Sequence, residues 1–275
     1  MYYNAVIYFS LFGFCGWVCE TIFCSINQKK VVNRGFLSGP ICPVYGFGGL
    51  IVIYILAPLR DSIPLLFLFG MVAATTLEYV TSFVLEKLFS TRWWDYSDLR
   101  LNIHGRVCLQ FSLIFGVLSV VAVKLLHPPF AALVAVIPVE AKPWITWGCL
   151  LMFTVDCVNT VHTILSLNGR LAMLKQATAE LREKLEAYQP SVMSLQERLE
   201  QFRTDTSEHA GALRVKIEEL AERWESQRHG TVRRFRHRRL MDAFPNMKST
   251  KYQEQFAEAK AALIAFRDKT RKKSK

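Results

Sequence analysis

The stretch that decides the fold is residues 143–188, which reads PWITWGCLLMFTVDCVNTVHTILSL to residue 167 and NGRLAMLKQATAELREKLEAY from residue 168. The first part contains one charged side chain, Asp156, and a helix needs about 20 mostly apolar residues to cross a bilayer. The second part is rich in Lys, Arg and Glu. The stretch therefore predicts a membrane-spanning helix that runs directly into a charged helix outside the bilayer.

The same change of character divides the whole chain. Its 275 residues are 51% hydrophobic, yet they carry a net charge of +11. Residues 1–166 hold 10 basic and 8 acidic side chains, whereas residues 167–275 hold 24 basic and 15 acidic ones. An apolar half followed by a charged half excludes an ordinary soluble enzyme and a wholly disordered chain.

Five apolar runs are long enough to span a membrane, and unsatisfied backbone groups in lipid require them to be helical. They are Tyr3–Ile26, Leu37–Leu59, Pro64–Phe89, Val107–Leu126 and Pro143–Leu167. A sixth apolar stretch, Phe130–Val139, is too short to cross and follows Pro128-Pro129. We predict an interfacial or re-entrant piece there.

We therefore expect an all-α, polytopic membrane protein with about five transmembrane helices followed by a cytoplasmic helical tail that forms a weak coiled coil. The predicted domains are a transmembrane domain, 1–167, a cytoplasmic helical stalk or coiled coil, 168–229, and a basic linker with a short amphipathic helix, 230–275. The heptad-like seam of the stalk comprises Leu171, Leu174, Thr178, Leu181, Leu185 and Tyr188. It fits either a helical hairpin or a weak dimeric coil.

The orientation follows from the basic residues of the loops, which favour the cytoplasmic side. The first connection carries Lys29, Lys30 and Arg34, and the third carries Arg92, Arg100 and Arg106. Five helices with the N-terminus outside put both connections and the basic tail in the cytoplasm. The predicted location is therefore the inner membrane of a bacterial cell, with multiple passes.

Several polar side chains occur inside the apolar runs. A central Asp in a spanning helix costs roughly 2.5–3.5 kcal/mol on insertion, so Glu20, Glu78 and Asp156 call for an explanation. Ser82 shares a helical face with Glu78, and Asn159 shares one with Asp156. The stripes fit either a substrate or ion path or hydrogen bonding between helices. For the carboxylates of Glu78 and Asp156 we favour the substrate or ion path, and we expect Glu20 to contribute to it.

The second apolar run begins with an unusual motif that contains Gly39, Pro40, Pro43, Tyr45 and Gly46. Proline suits the first turn of a helix, but a second proline removes a donor deeper in the helix. The motif fits either a broken helix, such as transporters use at binding sites, or close packing of helices through glycine.

A polar cluster is predicted around the third connection. Its members are Glu86, Trp94, Asp95, Tyr96 and Arg106, which we place on the cytoplasmic side. Arg106 has two candidate partners, Glu86 and Glu20. The aromatic residues also fit the belt that Trp and Tyr form at membrane interfaces.

The tail contains a dense basic cluster with Arg233, Arg234, Arg236, Arg238 and Arg239. Each basic residue near an anionic membrane surface contributes about 1 kcal/mol to binding. The cluster fits anionic lipid or a protein partner, or else a solvated basic face. We favour lipid or a protein over nucleic acid as the partner, because the sequence has no nucleic-acid-binding motif and a membrane lies nearby.

Taken together, several segments resemble the ABC-transporter type IV permease family, a CmpB-like group of bacterial membrane proteins. The segments are Gly16-Trp17 with Glu20, residues 39–46, residues 77–79 with Thr81-Ser82, residues 93–97 and residues 105–108. The likeness covers about residues 7–165, and residues 243–248 in the tail look similar too. The resemblance implies a transport role.

Motifs for catalysis are absent from the sequence. It contains no G-x-x-x-x-G-K-[ST], no H-E-x-x-H and no G-x-S-x-G. We therefore expect no enzyme activity, no metal and no cofactor, and an ATPase would come from another chain. The predicted function is a permease-like transport subunit in a homo-oligomer or hetero-oligomeric membrane complex. The alternative is a membrane-anchored scaffold or regulator that acts through its basic helical tail.

Overall fold

The fold was analysed in a computed structural model, which describes residues 2–188, 197, 199, 215, 217–226, 235–261 and 264. Side chains are described for these residues except at 187–188 and 235–238. The chain divides into two compact units. One comprises Met1–His162 with Arg239–Lys248, and the other comprises Thr163–Arg238 with Ser249–Lys275. The sequence predicts a contiguous division instead, with the membrane part ending at residue 167.

The described elements are mostly helical. In chain order the helices include α1 (Tyr2–Gln28), α2 (Pro43–Leu50), a π-helix (Ile51–Ile55), a 3-10 helix (Ala57–Leu59), α3 (Ile63–Phe89), α4 (Leu109–Val121), a second π-helix (Ala122–Leu126), α5 (His127–Val136), α6 (Ala141–Tyr188) and α7 (Phe235–Ala243). Residues 217–226 and 253–261 are helical as well. Four two-residue strands accompany them, namely β1 (Thr91–Arg92), β2 (Asn102–Ile103), β3 (Val107–Cys108) and β4 (Lys248–Ser249). Strands β2 and β3 pair antiparallel, with Asn102 opposite Cys108.

Four helices of the described part are long and apolar enough to cross a membrane. They cover Tyr2–Gln28, Ile63–Phe89, Leu109–Val136 and Lys142–Glu186. The prediction of an all-α polytopic membrane protein is therefore confirmed. The last of these helices continues from the apolar run into the charged segment without a break, as the stretch at 143–188 predicts.

The second predicted span differs from the sequence expectation, because it begins later than Leu37. Residues 31–42 are not helical, and α2 starts at Pro43. The apolar helix Pro43–Ile55 has 13 residues, which at about 1.5 Å per residue cover roughly 20 Å. The late start of the helix follows from Pro43. This proline occupies the first turn, where its missing N–H is no loss.

The stretch Phe130–Val139 also differs from its prediction as a separate interfacial or re-entrant piece. Most of it forms α5, which continues α4 through the π-helix Ala122–Leu126 as one apolar helix of 28 residues. Pro128 and Pro129 stand in the first turn of α5. There the wider π turn accommodates two residues without N–H groups, so the prolines do not end the span.

Glycine allows the membrane helices of the first unit to approach closely. A Cβ on Gly46 of α2 would lie 2.6 Å from Phe9 Cδ2 and 2.9 Å from the Phe9 carbonyl oxygen of α1. A Cβ on Gly116 of α4 would lie 2.6 Å from Phe67 Cε2 of α3. Helix α1 therefore packs on α2, and α3 packs on α4, through small residues, as is common in membranes.

The second unit has its own hydrophobic core. The buried residues are Leu174, Ala177, Leu181, Leu185, Leu199, Ile217, Leu220, Ala221 and Trp224. The Trp224 indole donates a hydrogen bond to Thr178 Oγ1 at 3.1 Å. The predicted seam is thus a buried face that packs within the chain, which is the hairpin alternative. A coiled coil between chains stays a prediction.

Candidate functional site

A cavity of about 450 Å³ lies inside the first unit. Its walls come from α1, α2, α3, α4 and α6, from the loops after α1 and α3, and from Phe244. Most of the lining side chains are apolar or aromatic, and the charged ones among the described residues are Glu20, Arg34 and Glu78. Sites for small molecules are apolar pockets of about 300–1,000 Å³ with a few placed polar groups. The cavity has both properties.

Glu78 is the most isolated of the three charged groups. Its side chain belongs to α3 and is 8% exposed. Tyr96 donates a hydrogen bond to Oε1 at 3.2 Å, whereas Oε2 has no hydrogen-bond partner among the described residues. A buried carboxylate oxygen without a donor is costly. Of the three charged groups in the lining, Glu78 is therefore the one with a carboxyl oxygen that lacks a donor among the described residues.

Tyr96 is held in place by the loop after α3. Its ring stacks on Phe111 of α4 with a centroid distance of 4.8 Å. Burial and the neighbouring Glu78 carboxylate raise the pKa of the Tyr96 phenol. The phenol therefore stays protonated and donates to Glu78.

Glu20 and Arg34 form the second polar group of the cavity. Tyr45 donates to Glu20 Oε1 at 2.8 Å, and Arg34 Nε lies 3.6 Å from Glu20 Oε2. The Arg34 guanidinium also lies over the Phe244 ring, 4.5 Å from its centroid. Both oxygens of Glu20 thus have partners, and its charge is balanced by Arg34.

Asp156 lies on α6 and is not among the residues that line the cavity. Its two oxygens accept hydrogen bonds from the backbone amides of Ser38 and Gly39, at 3.0 and 2.7 Å. The carboxylate therefore fastens the loop between α1 and α2. Such charge-assisted bonds are stronger than neutral ones.

The motif before α2 is thus a loop followed by a helix start. Gly39 binds Asp156 through its amide, Pro40 lies in the same loop, and Pro43 opens α2. Pro43 and Tyr45 line the cavity, while Gly46 packs on α1. Gly46 makes the close contact that the packing alternative predicts. A binding role for the motif stays a prediction.

The cluster around the third connection is assembled in the structure. Arg106 Nη2 lies 2.8 Å from Glu86 Oε2, and Arg92 Nε lies 3.4 Å from the same oxygen. Of the two candidate partners, Arg106 thus pairs with Glu86. Trp94 donates to the Arg106 carbonyl at 2.9 Å and lines the cavity, as Tyr96 does.

Asp95 binds a residue from far along the chain. Lys248 Nζ lies 2.7 Å from Asp95 Oδ2, and Ser97 donates to Oδ1 through its amide. The hydrogen bonds from Lys248 and Ser97 hold the pKa of Asp95 at about 2. Asp95 is therefore ionised at neutral pH and anchors Lys248.

The segment Arg239–Lys248 closes one side of the site, and sequence reasoning gave it no such role. Phe244 lines the cavity and packs on Trp93 with a centroid distance of 5.0 Å. Lys30 Nζ lies 3.4 Å from Asp242 Oδ1. The sequence feature that could have indicated this role is the similarity of residues 243–248 to the CmpB-like family, within an otherwise charged tail.

Arg239 has a structural contact rather than an open position. Its guanidinium donates to the carbonyls of Gly35, Phe36 and Leu37 at 2.9–3.2 Å. Burial lowers its pKa, while the nearby Asp156 opposes that change. Of the other arginines in the basic cluster, Arg233 and Arg234 lie outside the described residues, as do the side chains of Arg236 and Arg238. Their binding to lipid stays a prediction.

The remaining stripe residues lie apart from the cavity. Ser82 of α3 is 4% exposed and does not line it. Asn159 of α6 is exposed and does not line it either. Within the described part of the chain, no three His, Cys, Asp or Glu side chains form a metal-binding group. The roles predicted for Ser82 and Asn159 stay predictions.

Comparison with known protein families finds a match for the membrane part of the chain. A family model described as "Putative ABC-transporter type IV" matches residues 7–161. This range includes most of α1, all of α2 to α5, most of the apolar part of α6, and every cavity-lining residue except Phe244. No curated protein and no solved structure is significantly similar to the chain.

Proposed function

The chain belongs to the ABC-transporter type IV family, and from that membership we propose that it is a permease-like transport subunit of the bacterial inner membrane. The observation that carries the proposal is the cavity between spanning helices, with the buried Glu78 on its wall. An acid inside a membrane helix is costly and usually marks a substrate or ion path. In this proposal Glu78 and Glu20 belong to the path, and Asp156 holds the loop beside it.

The proposed orientation places the N-terminus outside and both basic loops in the cytoplasm. Contacts between those loops support one part of this proposal, a shared side, since the centroids of the Phe36 and Trp93 rings lie 5.0 Å apart. Loops that touch lie on the same side of a membrane. The segment Arg239–Lys248 binds both loops, through Arg34 and Asp95 among others, and so shares their side.

We assign energy coupling to a separate ATPase subunit, because the sequence has no P-loop motif. Four spanning helices and the shorter helix Pro43–Ile55 are few for a complete path, so the proposal includes a homo-oligomer or a hetero-oligomeric complex. In this proposal the ATPase docks on the two basic loops on the cytoplasmic side.

The test begins with purification of the tagged full chain from native membranes in mild detergent. A P-loop ATPase is expected among the co-purified proteins, and the complex in proteoliposomes should show nucleotide-dependent flux with candidate substrates from the cell extract. Glu78→Gln should keep the ATPase and lose the flux, whereas Glu140→Gln on an exposed site should keep both. Purification without any ATPase, together with flux unchanged in Glu78→Gln, would refute the proposal.

A second candidate function is a membrane-anchored scaffold or regulator. The separate core of the second unit favours it, because such a unit can hold a surface for a partner protein. Neutralising Arg233, Arg234, Arg236 and Arg238 with Gln, while keeping Arg239 for the loop, should then abolish function. In the transport proposal the same variant keeps flux, so one comparison with Glu78→Gln separates the two.

A further inference from the structure

We infer that the cavity takes an amphipathic amine, a molecule with an apolar body and one ammonium group that donates to the Glu78 carboxylate. The inference rests on the proposed function and names the class of molecule that the same site accepts. The first step is the Glu78 carboxyl itself, which is 92% buried while Oε2 has no partner among the described residues. Because that oxygen is covered in the structure, a ligand that donates to it has to draw the Glu78 side chain toward the cavity that it lines.

The charge balance of the lining selects an ammonium over other donors. Glu20 is paired with Arg34 at 3.6 Å and accepts from Tyr45. Glu78 has only the neutral Tyr96 phenol as its described donor, so its ionised form has no counter-charge in the lining. An ammonium supplies that counter-charge, whereas a carboxylate would be repelled and an alcohol would leave the ionised form without one.

The rest of the lining selects an apolar body. Phe12, Phe115 and Phe153 stand on three different helices around the cavity, and Leu, Val and Cys side chains fill the space between them. A volume of about 450 Å³ suits a small molecule. Burial of apolar surface then supplies affinity, while Glu78 supplies selectivity.

The same chemistry occurs in two sources, a free amphipathic amine and the ammonium headgroup of an aminophospholipid. The experiment uses the full chain in nanodiscs of phosphatidylcholine alone and in nanodiscs that also contain phosphatidylethanolamine. Radiolabelled octylamine, octanoate and octanol serve as probes, and partition into empty nanodiscs is subtracted. Equal octylamine affinity in both lipids indicates a free amine. Weaker affinity with phosphatidylethanolamine indicates competition by the headgroup, and both results support an ammonium site.

Octylamine is expected to bind saturably, with octanoate and octanol about tenfold weaker or worse, as the loss of one charge-assisted hydrogen bond predicts. Glu78→Gln should bind octylamine about tenfold more weakly than the wild type. The matched control Glu140→Gln removes the same charge from an exposed site away from the cavity and should bind as the wild type does.

Equal binding of octylamine and octanoate by the wild type would overturn the inference, as would undiminished octylamine binding by a folded Glu78→Gln variant. The wild-type comparison decides the matter even if that variant does not fold. Because binding is measured without ATP or flux, a selective amine site in a protein that transports nothing would refute only the transport function. Absent or unselective binding would refute only the amine class.

Discussion

Asp156 and Glu78 are both acidic residues of spanning helices, yet their carboxyl groups have different hydrogen-bond partners. Each oxygen of Asp156 accepts from a backbone amide, at 3.0 and 2.7 Å. Glu78 accepts one bond, from Tyr96, and its second oxygen has no partner among the described residues. We therefore expect Asp156 to stabilise the fold, whereas Glu78 is the residue that the proposed ligand site uses.

This difference predicts opposite effects on stability. Asp156→Asn should lower the free energy of unfolding by about 1–3 kcal/mol, because an amide nitrogen cannot accept the second backbone bond. Glu78→Gln should leave stability unchanged or higher, since it removes a buried charge that has no counter-ion. Thermal unfolding of both variants in the same detergent checks this. Equal losses in the two variants would contradict the assignment.

The ion pair between Asp95 and Lys248 predicts a dependence on pH. The pKa of Asp95 is about 2 in the folded protein, below its ordinary value of 3.8. A lowered carboxyl pKa adds stability above the unfolded pKa, and that stability is lost as pH falls through the folded value. The melting temperature of the wild type should exceed that of Lys248→Met at pH 5–7. The difference should shrink between about pH 4 and pH 2.

Single residues were predicted from sequence where the cost of membrane burial singled them out. Glu20 and Glu78 both line the cavity, and that rule found them. The cost of membrane burial also singled out Asp156, but it did not predict which groups Asp156 contacts. Its donors are backbone amides 117 and 118 positions away, and no side-chain pattern encodes such a pairing. The contact of Arg239 with three carbonyls was also not predicted, because these acceptors are backbone groups far away in the sequence.

Among the elements, α1 and α2 depend on glycine for their contact. Gly46→Ala should destabilise the protein by about 1–3 kcal/mol, because the new Cβ would lie 2.9 Å from the Phe9 carbonyl oxygen, a backbone atom that cannot rotate away. Gly148→Ala on α6 is the matched control, since nothing lies within 4 Å of its Cβ position. Its stability should be unchanged or higher. Chemical unfolding of the two variants gives the comparison, and equal stability would contradict the close packing.

Element boundaries were predictable where hydropathy alone sets them. The run Pro64–Phe89 and helix α3, Ile63–Phe89, agree almost to the residue. The sequence predictions for two ranges, Leu37–Leu59 and Phe130–Val139, were wrong. Proline has two different effects on helices in these ranges. In the first case the chain before Pro43 stays non-helical, and in the second a π-helix carries the chain past Pro128 and Pro129. Hydropathy does not distinguish these outcomes.

At the level of the whole molecule, the return of Arg239–Lys248 to the first unit is the main departure from the predicted organisation. Composition suggested that everything after residue 167 is tail. The returning segment is short and lies between charged stretches, so averages over the tail conceal Phe244 and Met247. Both are buried, at 7% and 2% exposure.

The returning segment predicts that a tail residue supports the membrane domain. Phe244→Ala should lower the free energy of unfolding by about 3–5 kcal/mol, as for other buried phenylalanines. The emission of Trp93, whose ring Phe244 packs against, should shift to the red. Asn246→Ala, at an exposed position of the same segment, is the control and should change neither measurement. An unaltered melting temperature for Phe244→Ala would show that the segment is dispensable.

The contact of Arg239 with the carbonyls of residues 35–37 also sets an order of events during synthesis. A ribosome adds about 5–20 residues per second. Synthesis from His162 to Arg239 therefore takes roughly 4–15 s, and during that time the loop at 35–37 lacks its arginine. A nascent chain that stops before Arg239 leaves those three carbonyls without that donor. The first unit thus acquires this contact only after most of the tail has been made.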